Sequence, residues 1–156
     1  GIAGQSYGAF MVANLLAHSE LFGAGIAMSG AYNRTLTPFG FQTERRTLWE
    51  APETYLAMSP FLYSHQIDAP LLLIHGLNDD NAGTSPLQST QFYSAIRGNG
   101  GDVELLLLPW EGHSYRARKS VLDAAATMLA WFDRHLGPLT ELVAHKETGA
   151  SLRPSQ

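Results

Sequence analysis

A chain of 156 residues with 45% hydrophobic and 15% charged side chains has the size and make-up of one globular domain, neither disordered nor fibrous. Fourteen acidic against ten basic residues, with no lysine- or arginine-rich segment, give nucleic acid no electrostatic footing, and the apolar runs such as Leu71 to Ile74 fall far short of the roughly 20 residues that cross a bilayer. With no cysteine, no pair of histidines at i, i+4 spacing and no glycine-rich phosphate cradle, no metal, nucleotide or other cofactor is implied, and the compartment stays open.

Gly1 to Ala3 reads as a strand stub. After Gly4-Gln5-Ser6-Tyr7-Gly8, residues Phe10, Ala13, Asn14 and Ala17 recur at helical spacing, which predicts a helix over 9–18. Gly25 to Met28 is a second strand ended by Ser29-Gly30, and 31–42, with Pro38 and Gly40, is a loop. Pro52-Glu53 opens a helix through Met58 that Ser59-Pro60 stops. Leu71 to Ile74 is a continuous apolar run, as expected for a strand covered on both faces, and His75-Gly76 ends it before a loop over 77–85. A helix over 86–97 closes at Gly98-Asn99-Gly100, a fourth strand runs over 103–108, and an amphipathic helix over 120–136 stops at Gly137-Pro138. The recurring order of strand, loop and helix predicts an α/β domain with a mostly parallel sheet and flanking helices, spanning 1–136, with 137–156 a loosely ordered tail. Because the chain opens directly on GIAGQSYG, without methionine or signal peptide, it is expected to be a piece of a longer protein.

In open α/β sheets, chemistry gathers in the loops beyond the carboxyl ends of the strands. Ser6 follows the first strand, Asp79 and Asp80 the third, and His113, in PWEGHSY, the fourth. Taken singly, each fits an ordinary turn or cap. Together they stand in the chain order of α/β-hydrolases, serine then acid then histidine, each on its own strand-end loop. The residue types suit acyl transfer: a serine hydroxyl needs an imidazole to take its proton, and the imidazole needs an acid to fix its tautomer and stabilise its cation. Gly4 and Gly8 would let strand and helix pack closely around a tight turn with Ser6 at its apex. The backbone N–H of Tyr7, at a helix amino terminus, would face the developing oxyanion. Spacing alone leaves open which of Asp79 and Asp80 points inward. His75, at the end of a buried strand, is expected to be a hydrogen-bonded core residue without a chemical role.

The segments GQSYGAFM, SGAYNRTLTPFGFQTERRTLWEAPETY, SPFLYSHQIDAPLLLIHGLNDDNAGTSPLQS, RGNGG and EGHSYRAR resemble the catalytic domain of prolyl oligopeptidase-type serine peptidases, above all the glutamyl endopeptidase branch. The likeness runs from Gly1 to about Leu136. It implies the carboxyl-terminal half of an α/β-hydrolase fold, with Ser6 as nucleophile, Asp79 in HGLND as the acid rather than Asp80, and His113 in EGHSY as the base. The family commonly has histidine or a bulky residue where this chain has Gln5. The resemblance also implies a peptide or protein substrate, and as structural partners an amino-terminal β-propeller and upstream sheet strands of the same protein.

The expected function is therefore hydrolysis of peptide bonds through an acyl-enzyme on Ser6, after glutamate by resemblance. An esterase or other acyl hydrolase would need the same three residues, and a non-catalytic domain of the same fold is a further alternative. A glutamate side chain entering a pocket needs a cation or several donors to replace its hydration. Arg34, on the loop after the second strand, is the candidate for substrate binding, whereas Arg45 and Arg46 stand near Glu44 and Glu50 and are candidates for pairing with them.

Overall fold

The computed structural model describes residues 1–137, so the expected tail lies outside the described residues except for Gly137. Strands β1 (Ile2–Gln5), β2 (Gly25–Met28), β3 (Leu71–Gly76) and β4 (Val103–Leu108) pair in chain order as one parallel sheet. Helices α1 (Tyr7–His18), α2 (Pro52–Ala57), α3 (Pro86–Gly98) and α4 (Arg118–Leu136) complete the frame, with 3₁₀ turns at Arg34–Leu36 and Pro60–Gln66.

The period of two along each strand divides the core. Ala27, Leu71, Leu73 and Val103 face one layer with Val12 and Leu16 of α1 and Phe92 and Ile96 of α3. Ile26, Leu72, Ile74 and Leu108 face the other, against Ala124 and Trp131 of α4. All six residues of β3 are buried, because the strand is paired on both edges and covered on both faces. Each such leucine or isoleucine contributes about 1.5–3 kcal/mol relative to exposure, so β3 is the anchor on which the loops above the sheet are mounted.

Several boundaries differ from the sequence expectation, among them the start of α1, at Tyr7 rather than Ala9, and the end of β3, at Gly76 rather than Ile74. The first strand runs to Gln5 rather than stopping at Ala3, because Gly4 and Gln5 find partners in Ala27 and Met28 of β2. The strand and α1 are then separated by Ser6 alone. The stop at Ser59-Pro60 becomes a new start: Pro60 leads two short 3₁₀ turns that break at Tyr63. Their backbone is tied to the rest of the fold by the Phe61 amide donating to the Tyr32 carbonyl. The last helix begins two residues earlier than expected, at Arg118, and ends as expected before Gly137, which takes φ 82°.

Candidate active site

At Ser6 the chain turns from strand to helix in one residue, with φ 57° and ψ −116°. This conformation is costly for any residue with a Cβ, on the order of 1–3 kcal/mol. It is held by the Ser6 amide donating to the Met28 carbonyl at 2.8 Å and by the Ser6 carbonyl accepting from the amides of Ala9 and Phe10. A Cβ at Gly4 would stand 2.5 Å from the backbone of Gly8, so glycine is required at position 4 for the strand to pass so close to the helix. A Cβ at Gly8 would meet nothing within 4 Å, which corrects the expectation that both glycines are needed for this packing. Tyr7 is the first residue of α1, and its amide lies in the first turn, where helix geometry provides no acceptor.

Ser6 Oγ lies 2.9 Å from His113 Nε2, and His113 Nδ1 lies 2.9 Å from Asp79 Oδ2. With an ionised carboxylate as acceptor, Nδ1 carries the hydrogen and Nε2 is free to accept from the serine. Asp79 is fully buried in its side chain. Its Oδ2 also accepts from Thr84 Oγ1 at 3.1 Å, and its Oδ1 from the Asn81 amide at 3.0 Å. The neighbouring Asp80 is exposed and outside this chain of contacts. The geometry thus brings Ser6, His113 and Asp79 together and leaves Asp80 apart.

The loop that carries His113 is fastened from three sides. Gln5 Nε2 donates to the His113 carbonyl at 2.9 Å, and the Asn78 amide donates to the Glu111 carbonyl at 2.8 Å. The buried Glu111 carboxylate accepts from the amides of Arg116 and Ala117 at 2.7 and 3.0 Å; the Arg116 amide first of all holds this carboxyl below its ordinary pKa. Tyr115 donates to the Ile74 carbonyl at 3.1 Å and sits 3.0 Å from Ser29 Oγ, and burial pushes its phenol up to about 12. Gln5, Glu111 and Tyr115 had no role in the sequence reading. Glu111 and Tyr115 flank His113 within two residues, but nothing in their spacing distinguishes a loop anchor from a surface residue.

Ser6 and Tyr7 open onto a cavity of about 490 Å³ walled by the loop after β2 and by Asn81 to Thr84. Arg34 lines it, is 3% exposed, and is the one basic side chain among the lining residues. Its guanidinium lies between two rings, 4.8 Å from the centroid of Phe10 and 4.7 Å from that of Phe41. Its Nε has no hydrogen-bond partner, and burial lowers the pKa of the group. The Arg34 amide is fixed by Ser59 Oγ at 2.8 Å. Arg46, in contrast, pairs with Glu44 at 2.7 Å, and Glu50 accepts from the Thr47 amide and hydroxyl, so Arg46 is consumed at the surface. That acid–base pair holds Glu44 down to about 2, through its hydrogen bonds to Arg46.

The chain is similar to known proteins in sequence and in fold. A probable glutamyl endopeptidase of rice (Oryza sativa subsp. japonica), described as chloroplastic, is 53% identical over 135 residues, covering 86% of this chain and 14% of the rice protein. Its counterpart in Arabidopsis thaliana is 52% identical over 140 residues, covering 89% of this chain and 15% of that protein. The acylaminoacyl peptidase of Pyrococcus horikoshii superposes with a TM-score of 0.76 at 28% identity, over 89% of this chain and 24% of that one. The chain therefore spans about one-seventh of the length of the plant relatives. The sequence model of the prolyl oligopeptidase family matches residues 1–139, a stretch that contains every strand of the sheet and the loops bearing Ser6, Arg34, Asp79 and His113. With fold, strand-end placement and sequence all in agreement, the chain belongs to the prolyl oligopeptidase family.

Proposed function

We propose that this chain carries the reacting groups of a serine peptidase that cleaves peptide bonds after glutamate. One observation carries the reading: the cavity onto which Ser6 opens also holds Arg34, a buried cation without an acidic partner among the described residues. Ser6 Oγ attacks the scissile carbonyl while His113 Nε2 takes its proton, and Asp79 stabilises the imidazolium that results. The Tyr7 amide receives charge developing on the carbonyl oxygen. The imidazolium then protonates the leaving amine, and a water deprotonated by the same histidine releases the acyl group from Ser6.

A glutamate side chain in the cavity would place its carboxylate against Arg34, exchanging hydration for charge-assisted hydrogen bonds in a site shielded by Phe10 and Phe41. The names of the plant relatives support this preference. In a protein of their length, the segments beyond the matched stretch would cover the site, confine the peptide and supply a second oxyanion donor. The test is Arg34→Met in the full-length protein, with kcat/KM measured on matched glutamyl and glutaminyl peptides. The preference for glutamate should fall on the order of 10²-fold, equivalent to about 3 kcal/mol for two lost bonds to a charged group. An unchanged ratio would show that Arg34 does not read the substrate.

A further inference from the structure

His75, the penultimate residue of β3, is fully buried and reaches the same carboxylate oxygen as His113. Its Nε2 lies 2.6 Å from the Thr84 carbonyl and 3.0 Å from Asp79 Oδ2. Neither a carbonyl nor an ionised carboxylate can donate, so Nε2 carries the hydrogen and shares it between them. Nδ1 is left as an acceptor, and Ser89 Oγ of α3, 2.6 Å away, donates to it. The tautomer is fixed at both ends of the ring. Burial lowers the pKa of this imidazole, against the opposing pull of Thr84 and Asp79, and so favours the neutral ring that these contacts already specify.

We propose that His75 is a positioning residue for Asp79: a neutral donor that holds the carboxylate in the orientation from which Oδ2 meets His113, and that draws off part of its charge. The proposal rests on the reading of Ser6, His113 and Asp79 as the reacting chain. A carboxylate can rotate about its last torsion with little resistance. Here rotation is opposed by donors on both oxygens, with the Asn81 amide on Oδ1 and His75, Thr84 and His113 on Oδ2. His75 differs from the others in coming from the sheet itself, so it ties the acid to the most buried strand of the fold.

The electrostatic neighbours are few. His113 and Tyr115 approach from the loop after β4 and His75 from β3, while α3 contributes the uncharged Ser89. Asp80 is exposed, the Glu111 carboxylate is occupied by the Arg116 and Ala117 amides, and Arg34 stands across the cavity. Removing the His75 donor leaves more negative charge on Oδ2 facing His113, which favours the imidazolium.

The experiment compares His75→Phe, His75→Gln and Ser89→Ala with Ser6→Ala and Asp79→Asn in the full-length protein, measuring kcat, KM and the pH profile of kcat/KM on a glutamyl peptide. His75→Phe should lower kcat about 10- to 100-fold with KM little changed, and should move the acidic limb of the profile upward by about half to one pH unit. His75→Gln, whose amide N–H reaches the same place, should restore most of both. Ser89→Ala, a milder change that frees Nδ1 and the tautomer, should shift the limb in the same direction by less. An acidic limb that stays in place in His75→Phe and Ser89→Ala, or a His75→Gln as impaired as His75→Phe, would overturn the proposal while Ser6→Ala and Asp79→Asn remain inactive. Turnover retained by Ser6→Ala or Asp79→Asn would instead overturn the underlying reading, and this proposal with it.

Discussion

Gly76, the last residue of β3, packs directly against the backbone of the histidine-bearing loop, and adding a single methyl group there should disable the site. A Cβ at Gly76 would lie 2.3 Å from the Glu111 carbonyl oxygen and 2.5 Å from that of Gly112, whereas ordinary contact begins at 3.4 Å. Both obstacles are backbone, so no side-chain rotation relieves them, and one of the two loops must move by about 1 Å. The β3 side is the less able to yield, since all six of its residues are buried and Leu71 to Ile74 are paired on both edges. The displacement therefore falls on the segment leading into His113, which must keep 2.9 Å contacts to both Ser6 and Asp79. A misplacement of about 1 Å is worth on the order of 10² in rate, and overpacking of this kind costs about 1–3 kcal/mol in stability. In the full-length protein, Gly76→Ala should lose about 10²-fold in kcat on a glutamyl peptide with a smaller change in KM. Gly8→Ala, where a Cβ meets open space, should leave kcat near that of the parent and should not lower the thermal midpoint. A Gly76→Ala protein with an unperturbed melting transition and kcat within about threefold of the parent would refute the argument from loop displacement.

Two further expectations concern the acid and the alkaline limit. Asp79→Asn should lower kcat on the order of 10⁴-fold, by leaving His113 in the wrong tautomer, while Asp80→Asn, on an exposed side chain, should change it little; the reverse ranking in steady-state assays would move the acid to Asp80. Tyr115 is held protonated by burial, with its pKa raised from 10.0 to about 12, so the stability it lends is full below about pH 10 and is lost as the pH climbs through 12. Denaturant titrations across that range should show stability falling as pH rises, with a shallower fall in Tyr115→Phe; the residual slope belongs in part to the buried Tyr32, whose phenol is also raised. An identical slope in parent and variant would mean that Tyr115 ionises as freely in the folded protein as in the unfolded chain.

Much of the sheet could be read from the sequence because its strands obey local rules. The apolar run of β3 and the spans of β2 and β4 need no knowledge of their neighbours. The end of β1 was illegible for the opposite reason: Gly4 and Gln5 have no strand propensity and are extended only because β2 pairs with them. The 3₁₀ turns after Pro60 rest likewise on a contact with Tyr32, twenty-nine residues upstream of Phe61. At the site, the gathering of Ser6, His113 and one of the two aspartates at 79 and 80 was legible because strand ends are where α/β folds expose side chains, while the choice of Asp79 over Asp80 came from the family resemblance. The enclosure of Arg34 by Phe10 and Phe41 was not, since one ring lies on α1 and the other on the loop after β2. His75 could be foreseen as a buried, hydrogen-bonded histidine, which it is, but not as a neighbour of Asp79. That contact depends on how the loop after β3 folds back, and Thr84 and Asn81 decide it through hydrogen bonds that no periodicity encodes.

The backbone at Ser6 bears on any attempt to improve this protein by selection. Its φ and ψ lie where glycine is at ease and serine is not, at a cost of about 1–3 kcal/mol. Against the 5–15 kcal/mol that separates a typical folded domain from its unfolded chain, that penalty is large enough to be visible to a heat challenge. A variant library sorted by survival at elevated temperature alone would accordingly enrich glycine at position 6, and would return proteins that are harder to melt and have lost the hydroxyl. Sorting by turnover would hold the serine in place and drive compensation elsewhere, into positions such as Gly8, where the helix has room for a methyl group.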